Sequence, residues 1–237
     1  MSIQIDPIGI IRTPYKQKFA IPRQPGLVKS AEAQIEFLGD YQDPNTLRGI
    51  EQFSHLWLMF HFHQTAGQGW SPLVRPPRLG GNSKQGVFAT RSTFRPNAMG
   101  LSVVEFDSVS YANGQLRLHV KGIDLLDGTP ILDIKPYIPY ADALPDAHGG
   151  FANDAPLQME VGFSPQAEQQ LARWTKPHPN LAKLITEVLA QDPRPAYKTL
   201  KNTEEVFGMN LYALNIQWQV KDGINQVVNI ETATNIP

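Results

Sequence analysis

Two arginines four positions apart, Arg91 and Arg95, stand in the string RSTFRPNAMGLS over 91–102. A guanidinium presents a rigid fork to a carboxylate or a phosphate, so a pair held on one loop suits an anionic ligand. Pro96 pushes Arg95 toward an extended conformation, and Asn97 and Gly100 suit turn positions. From Gln52 to Val104 there is no Asp or Glu, while Arg75, Arg78, Lys84, Arg91 and Arg95 are all present. From Ile123 to Asp154 the balance reverses, with Asp124, Asp127, Asp133, Asp142, Asp146 and Asp154 against Lys135. Two readings stay open: the basic segment faces a ligand, or the two segments neutralise each other within the fold.

Three further strings carry candidate chemistry. If HLWLMFHFH is a strand, His55, Trp57, Met59, His61 and His63 share one face. Histidines two apart on a strand can chelate zinc, but hydrogen-bonded polar groups at a pocket edge are the preferred reading. His63 and Gln64, at the strand end, could also meet a small ligand. In LLDGTPILDIKPYIPYAD, Asp127 and Gly128 make a turn, Thr129 and Pro130 open a strand, and Asp133 and Lys135 share a face of it. Pro136 and Pro139 keep that strand's end out of a central ladder, and a solvated edge hairpin explains the string equally well. In DPRPAY, two prolines hold Arg194 and Tyr197 in an extended turn. Such a pair can contact phosphate and stack a base, or simply end a helix.

These residues need elements to position them. Residues 1–150 read as short strands: IQIDPIGIIR, AQIEFLG, SHLWLMFHFH, QGVFAT, LSVVEFDSVSY, QLRLHVKGIDL and TPILDIKPYI. Asn113-Gly114 is a hairpin turn signal. Gly and Pro punctuation between strands points to an antiparallel β-barrel or sandwich. FHQTAGQGWSPLVRPPRLGGNSKQG reads as a long loop. PYADALPDAHGGFANDAP reads as a linker, with a domain boundary after residue 150. Residues 151–237 read as a small α+β domain. Ser164 and Pro165 open one helix, NLAKLITEVLAQ forms an amphipathic second, and a hairpin turns at Asp222-Gly223.

Composition narrows the class. The chain has 237 residues, no Cys and a net charge of −1, so there is no disulfide framework, thiolate zinc site or Cys nucleophile, and no global charge argument for nucleic acid. The N-terminus lacks signal-peptide features, and HLWLMFHF is too short to span a bilayer. A soluble, cytoplasmic protein is expected. No Rossmann fingerprint, P-loop, nucleophile elbow or HExxH occurs, so an enzyme here must use a less common architecture.

Taken in order, PRQPGL, FHFHQ, RSTFRPNAMGLS, DLLDGTPILDIKPYIPYAD, DPRPAY and FGMNLYALNIQW resemble the bacterial tRNA N6-threonylcarbamoyladenosine methyltransferases, the TsaA-like or VirR family. The resemblance spans nearly the whole chain. It implies a mainly β fold, with an antiparallel β-barrel that binds S-adenosylmethionine (1–150) and a small α+β C-terminal domain contacting tRNA (151–237). It implies a homodimer with the cofactor near the subunit interface, and methylation of N6 of threonylcarbamoyladenosine at anticodon-loop position 37.

Carried over by position, the resemblance makes Gln24, Pro25, Gly26, His63, Gln64, Arg91, Leu101, Asp127, Gly128, Thr129 and Pro130 the cofactor-binding set. It assigns RNA contact to Arg95, Asp192, Arg194 and Tyr197, and no metal. Asn210, Ala213 and Gln217 depart from the family pattern. The modified N6 is a poor nucleophile whose proton must leave, and Asp133 and His63 are candidate bases by residue type. The rival readings are a dimeric barrel that binds S-adenosylmethionine without turnover, and a His-based metal hydrolase.

Overall fold

The computed structural model describes residues 3–194 and 205–234. The chain opens with strands β1 (Gly9–Arg12), β2 (Glu32–Phe37) and β3 (His55–His61). A one-turn helix α1 (His63–Ala66) and a small hairpin of β4 (Leu73–Val74) and β5 (Gln85–Gly86) follow. Then come β6 (Met99–Ala112), β7 (Gln115–Lys121) and β8 (Pro130–Pro136). Six of these strands close into a barrel in the order β1-β2-β7-β6-β3-β8, every neighbouring pair antiparallel. The seam is short: β1 meets β8 only at Gly9–Ile131 and Ile10–Pro130.

Alternation decides which face turns inward. Ala33, Ile35 and Phe37 of β2, Leu56, Leu58 and Phe60 of β3, and Leu116, Leu118 and Val120 of β7 are buried. Their odd-even partners face out. Each large apolar side chain removed from water stabilises the barrel by about 1.5–3 kcal/mol. Asn113 and Gly114, at φ 54° and 75°, form the turn between β6 and β7. Both angles match the turn type whose twist fits a hairpin.

Beyond β8, a single turn α2 (Pro139–Asp142) precedes β9 (Val161–Phe163), α3 (Pro165–Trp174), α4 (Leu181–Ala190), β10 (Phe207–Leu211), β11 (Leu214–Lys221) and β12 (Ile224–Thr232). The second sheet runs β10-β11-β12-β9, with β9 parallel to β12. Ser164 caps α3 by accepting from the Ala167 N–H at 3.2 Å, and Pro165 takes the first helical position. α4 buries Leu181, Leu184, Ile185, Val188 and Leu189. Asp222 and Gly223, at φ 51° and 79°, turn β11 into β12.

The two parts touch through polar contacts as well as a shared core. Glu187 of α4 accepts from both the N–H and the hydroxyl of Ser30, each at 2.8 Å. The Tyr212 N–H donates to the Pro14 carbonyl at 2.7 Å, beside a bridge between Tyr15 and Leu211.

Three local expectations change. Only Gln85 and Gly86 of QGVFAT are strand; Val87–Ala89 is a 3₁₀ turn. His63 does not continue the β3 face, because the strand ends at His61 and His63 begins α1. Gly100 lies in β6, not in a turn, where a Cβ would overlap the Phe60 ring and stand 2.8 Å from Phe62. The expected long loop holds α1 and the β4–β5 hairpin. No helix among the described residues is long and apolar enough to cross a membrane.

Candidate functional site

Arg91 and Arg95 leave their common loop in different directions. The Arg91 guanidinium donates to the side-chain oxygen of Gln24, in the loop that leads to β2. Arg95 turns back on its own loop, and its Nη2 donates to the carbonyls of Thr90 at 3.2 Å and Val87 at 3.4 Å. Its carbonyl accepts from the Ala98 N–H at 3.0 Å, closing a turn in which Ala98 takes φ 47°. Among the described residues neither arginine forms a salt bridge with the acids of 123–154.

The Gln24 loop is fixed against a second segment by two glycines. The Gly26 N–H donates to the Gly122 carbonyl at 2.8 Å. A Cβ on Gly122 would stand 3.4 Å from the Gly26 Cα, and both residues have positive φ, 76° and 72°. Only glycine permits this approach without strain.

Two residues further on is Asp124, half-buried, with Oδ1 enclosed and without a hydrogen-bond partner. Burial pushes its carboxyl up to about 6, opposed by the Ser102 hydroxyl, its own backbone N–H and the Arg91 guanidinium. Ser102 is buried in β6, paired with Leu58. Gln24, Gly26, Arg91, Ser102 and Asp124 thus gather from four separate stretches. The sequence reading singled out neither Asp124 nor Ser102. Local pattern points the other way: with Ile123 and Leu125 turned inward, alternation would send residue 124 toward water, and only tertiary packing encloses its Oδ1.

The run 127–130 is tied to the end of β1. Asp127 accepts from the Thr13 N–H at 2.9 Å and pairs with Lys16 at 2.7 Å. The Gly128 N–H donates to the Ile11 carbonyl at 2.9 Å, and the buried Thr129 hydroxyl donates to the Leu126 carbonyl at 2.7 Å. Pro130 pairs with Ile10. These polar groups fasten the segment that carries Asp124.

The candidate bases occupy different places. Met59 is paired with Leu101 on one side and Asp133 on the other, on the outer face of the barrel. Leu101 and Asp133 are exposed there, and Asp133 accepts from the Ile134 N–H at 2.9 Å. His63, at the start of α1, is held below its ordinary pKa by burial first and by His61 second, so its ring stays neutral. Gln64 Nε2 lies 3.3 Å from His63 Nε2. No hydrogen bond or ion pair joins His63 to Asp133. Among the described residues no group of three or more His, Cys, Asp and Glu could hold a metal ion.

Asp192 and Arg194 face each other, and the Arg194 side chain is buried. Tyr197 lies outside the described residues. Beside Arg194, a cavity of about 280 Å³ runs between α4 and the 18–23 loop, lined in part by Lys18, Phe19, Arg23 and Gln191. It is separate from the Arg91–Asp124 group. Of the departures, Gln217 accepts from the Asn229 side chain at 3.1 Å, Asn210 pairs with Asn215, and Ala213 follows the turn residue Tyr212 at φ 53°.

The β4–β5 arm carries two large exposed aromatics, Phe88 at 80% and Trp70 at 56%, among Arg75, Arg78 and Lys84. Arg95 braces the turn that bears Phe88.

Comparison with known proteins gives a consistent result. Residues 10–143 match the model of the tRNA-methyltransferase O N-terminal domain, and residues 156–233 that of the TrmO C-terminal domain. A tRNA (adenine(37)-N6)-methyltransferase of Escherichia coli is 50% identical over 231 residues, 97% of this chain and 98% of that protein. A Pseudomonas aeruginosa protein, RcsF, provisionally described as an S-adenosylmethionine-dependent methyltransferase, is 46% identical over 92% of this chain and 93% of its own length. The crystal structure of TrmO from Pseudomonas aeruginosa superposes with a TM-score of 0.81 at 39% identity, covering 98% of this chain and 99% of that one.

Proposed function

Because the chain belongs to the tRNA-methyltransferase O family, we propose that it methylates N6 of adenosine 37 in tRNA with S-adenosylmethionine as donor, the adenosine already carrying its threonylcarbamoyl group. The observation that carries this reading is the convergence of Gln24, Gly26, Arg91 and the segment leading to Asp124. These residues fit the donor. The Gly26–Gly122 approach is a backbone cradle that side chains would fill, and Arg91 suits a carboxylate. When bound, S-adenosylmethionine supplies a sulfonium methyl open to in-line displacement.

The protein's own work is to position and to move one proton. Holding the nucleophile at near-attack distance contributes most where both partners are fixed by a stiff frame. The neutral ring of His63 is able to take a proton, whereas a ring already charged is not. Asp133, on the outer barrel face, is the second candidate and serves only if that face meets the substrate.

The acid-free arm with Trp70 and Phe88 offers cations to phosphates and ring faces to unpaired bases, as a single-stranded anticodon loop requires. The division at residue 150, with the smaller part contacting tRNA, belongs to the same reading. So does a homodimer, in which a second copy covers the row of Leu101, Met59 and Trp57 outside the barrel. A cytoplasmic location follows from the tRNA substrate.

The test uses methyl-labelled S-adenosylmethionine with tRNA from cells that lack this protein, with and without the threonylcarbamoyl group. Label at N6 in the modified tRNA alone is expected. Donor binding without label transfer would leave a non-catalytic binding module. Sedimentation of the purified protein reads the dimer independently.

A further inference from the structure

We propose that Asp124 receives the α-ammonium group of the methyl donor, beside Arg91 as receptor for its carboxylate. The proposal rests on the reading of the Gln24–Arg91 group as the donor site.

The amino-acid end of S-adenosylmethionine is a zwitterion. It needs a cation and an anion side by side, and Arg91 and Asp124 are close enough to feel each other's charge. Arg91 alone answers half of that requirement. Asp124 has an enclosed oxygen with no donor, which is costly to leave unpaired. The residue as a whole is partly exposed, while its Oδ1 is enclosed. Asp127, three positions on, already has its donors in Thr13 and Lys16, so the vacant acceptor is specific to Asp124.

The groups acting on Asp124 are the Arg91 guanidinium and the Ser102 hydroxyl; Tyr15, whose phenol is raised by burial and then by the Asp124 charge, faces it from the β1 side. The Tyr15 hydroxyl is also enclosed without a partner. An ammonium placed against Asp124 favours its ionised form. Near pH 6 a fraction of the free protein carries a proton on this carboxyl, and ligand binding expels it.

Calorimetry in buffers of different ionisation enthalpy reads that proton directly. The probes are S-adenosylhomocysteine, which keeps the amino-acid head, and 5′-methylthioadenosine, which lacks it. For the wild-type protein at pH 6, proton release is expected with the first ligand and not with the second. At pH 8 it is expected to vanish for both. In Asp124→Asn, affinity for S-adenosylhomocysteine should fall about thirtyfold or more, with 5′-methylthioadenosine unaffected.

Equal losses for both ligands would mark Asp124 as a structural group and overturn the proposal. So would an unchanged affinity, or equal proton release with both ligands in the wild type. The wild-type comparison needs no variant, so a misfolded Asp124→Asn does not block the test. Failure of the wild type to bind either ligand would sink the donor-site reading itself, a result distinct from head-group insensitivity.

Discussion

The Arg194 guanidinium forks onto the Asp192 carboxylate, Nε to Oδ1 at 2.7 Å and Nη2 to Oδ2 at 2.8 Å. Asp192 takes φ 48° to make this possible, so backbone strain is held against a bidentate ion pair. Both charges are largely withdrawn from water. The pair stiffens the exit from α4.

Removing one partner should therefore cost stability first. Arg194→Ala leaves the Asp192 charge unpaired and is expected to lower unfolding free energy by about 3 kcal/mol. Arg194→Lys keeps the charge, loses the fork and should fall between. Urea unfolding at neutral pH checks both. A variant of unchanged stability with weakened tRNA binding would return Arg194 to the RNA surface.

Asp124 should make the free protein less stable as pH rises. Its native pKa, about 6, lies above the unfolded value of 3.8, so the native state binds more protons between those limits and unfolding free energy falls as pH rises through that window. Asp124→Asn has no such charge. Near pH 8 it should be more stable than the wild type by an amount on the order of 2–3 kcal/mol. Near pH 4 the gap should close. Denaturant midpoints at the two pH values decide, and a gap that stays constant with pH would refute it.

His178 should act with the opposite sign. It stacks on Tyr212 with ring centroids 4.1 Å apart, and burial lowers its pKa. His63 shares that direction. For both, the unfolded chain takes up a proton below about pH 6.5 while the native ring resists it, so stability is lost as pH falls through and below that value. His178→Phe keeps a stacked ring and removes the proton. Its stability is expected to depend less on pH between 7.5 and 5 than that of the wild type, by thermal melts.

Phe88 and Trp70 should matter to RNA and not to folding. Their rings are mostly in solvent, so truncation removes little packing. Stacking on a base is worth about 1–3 kcal/mol, which predicts a loss of tRNA affinity of roughly five- to 150-fold for Phe88→Ala. Filter binding at fixed salt measures it, with the melting temperature as control. Equal affinity would remove the arm from the RNA surface.

The strands were legible because their inward faces alternate: Leu56, Leu58 and Phe60 need only a period of two. Asn113-Gly114 and Asp222-Gly223 announced their turns because both residues of each pair tolerate positive φ. Tyr212 and Ala98 did not. Each holds positive φ without the residue type that advertises it, because tertiary contacts impose the angle. Gly100 misled in the other direction, since its lack of a side chain serves the Phe60 and Phe62 rings rather than a bend. At the site, Arg91 stood out as a charge on a stiff loop. Asp124 did not, because what distinguishes it is enclosure by residues remote in the chain, such as Ser102.

The short β1–β8 seam also sets an order in time. β1 and β2 can pair once residue 37 is made, but residue 9 cannot reach its β8 partner until residue 131 has left the ribosome, and the other edge of β2 waits for β7. At ordinary rates of synthesis that delay is on the order of ten seconds. Throughout it, the nascent chain carries β1, β2 and β3 with open edges and an apolar face that nothing yet covers. The hairpin of β6 and β7 is what joins the β1–β2 pair to β3. Slowing the ribosome between residues 61 and 130 should raise the fraction that aggregates before the barrel closes, read as pelleted chain after synthesis.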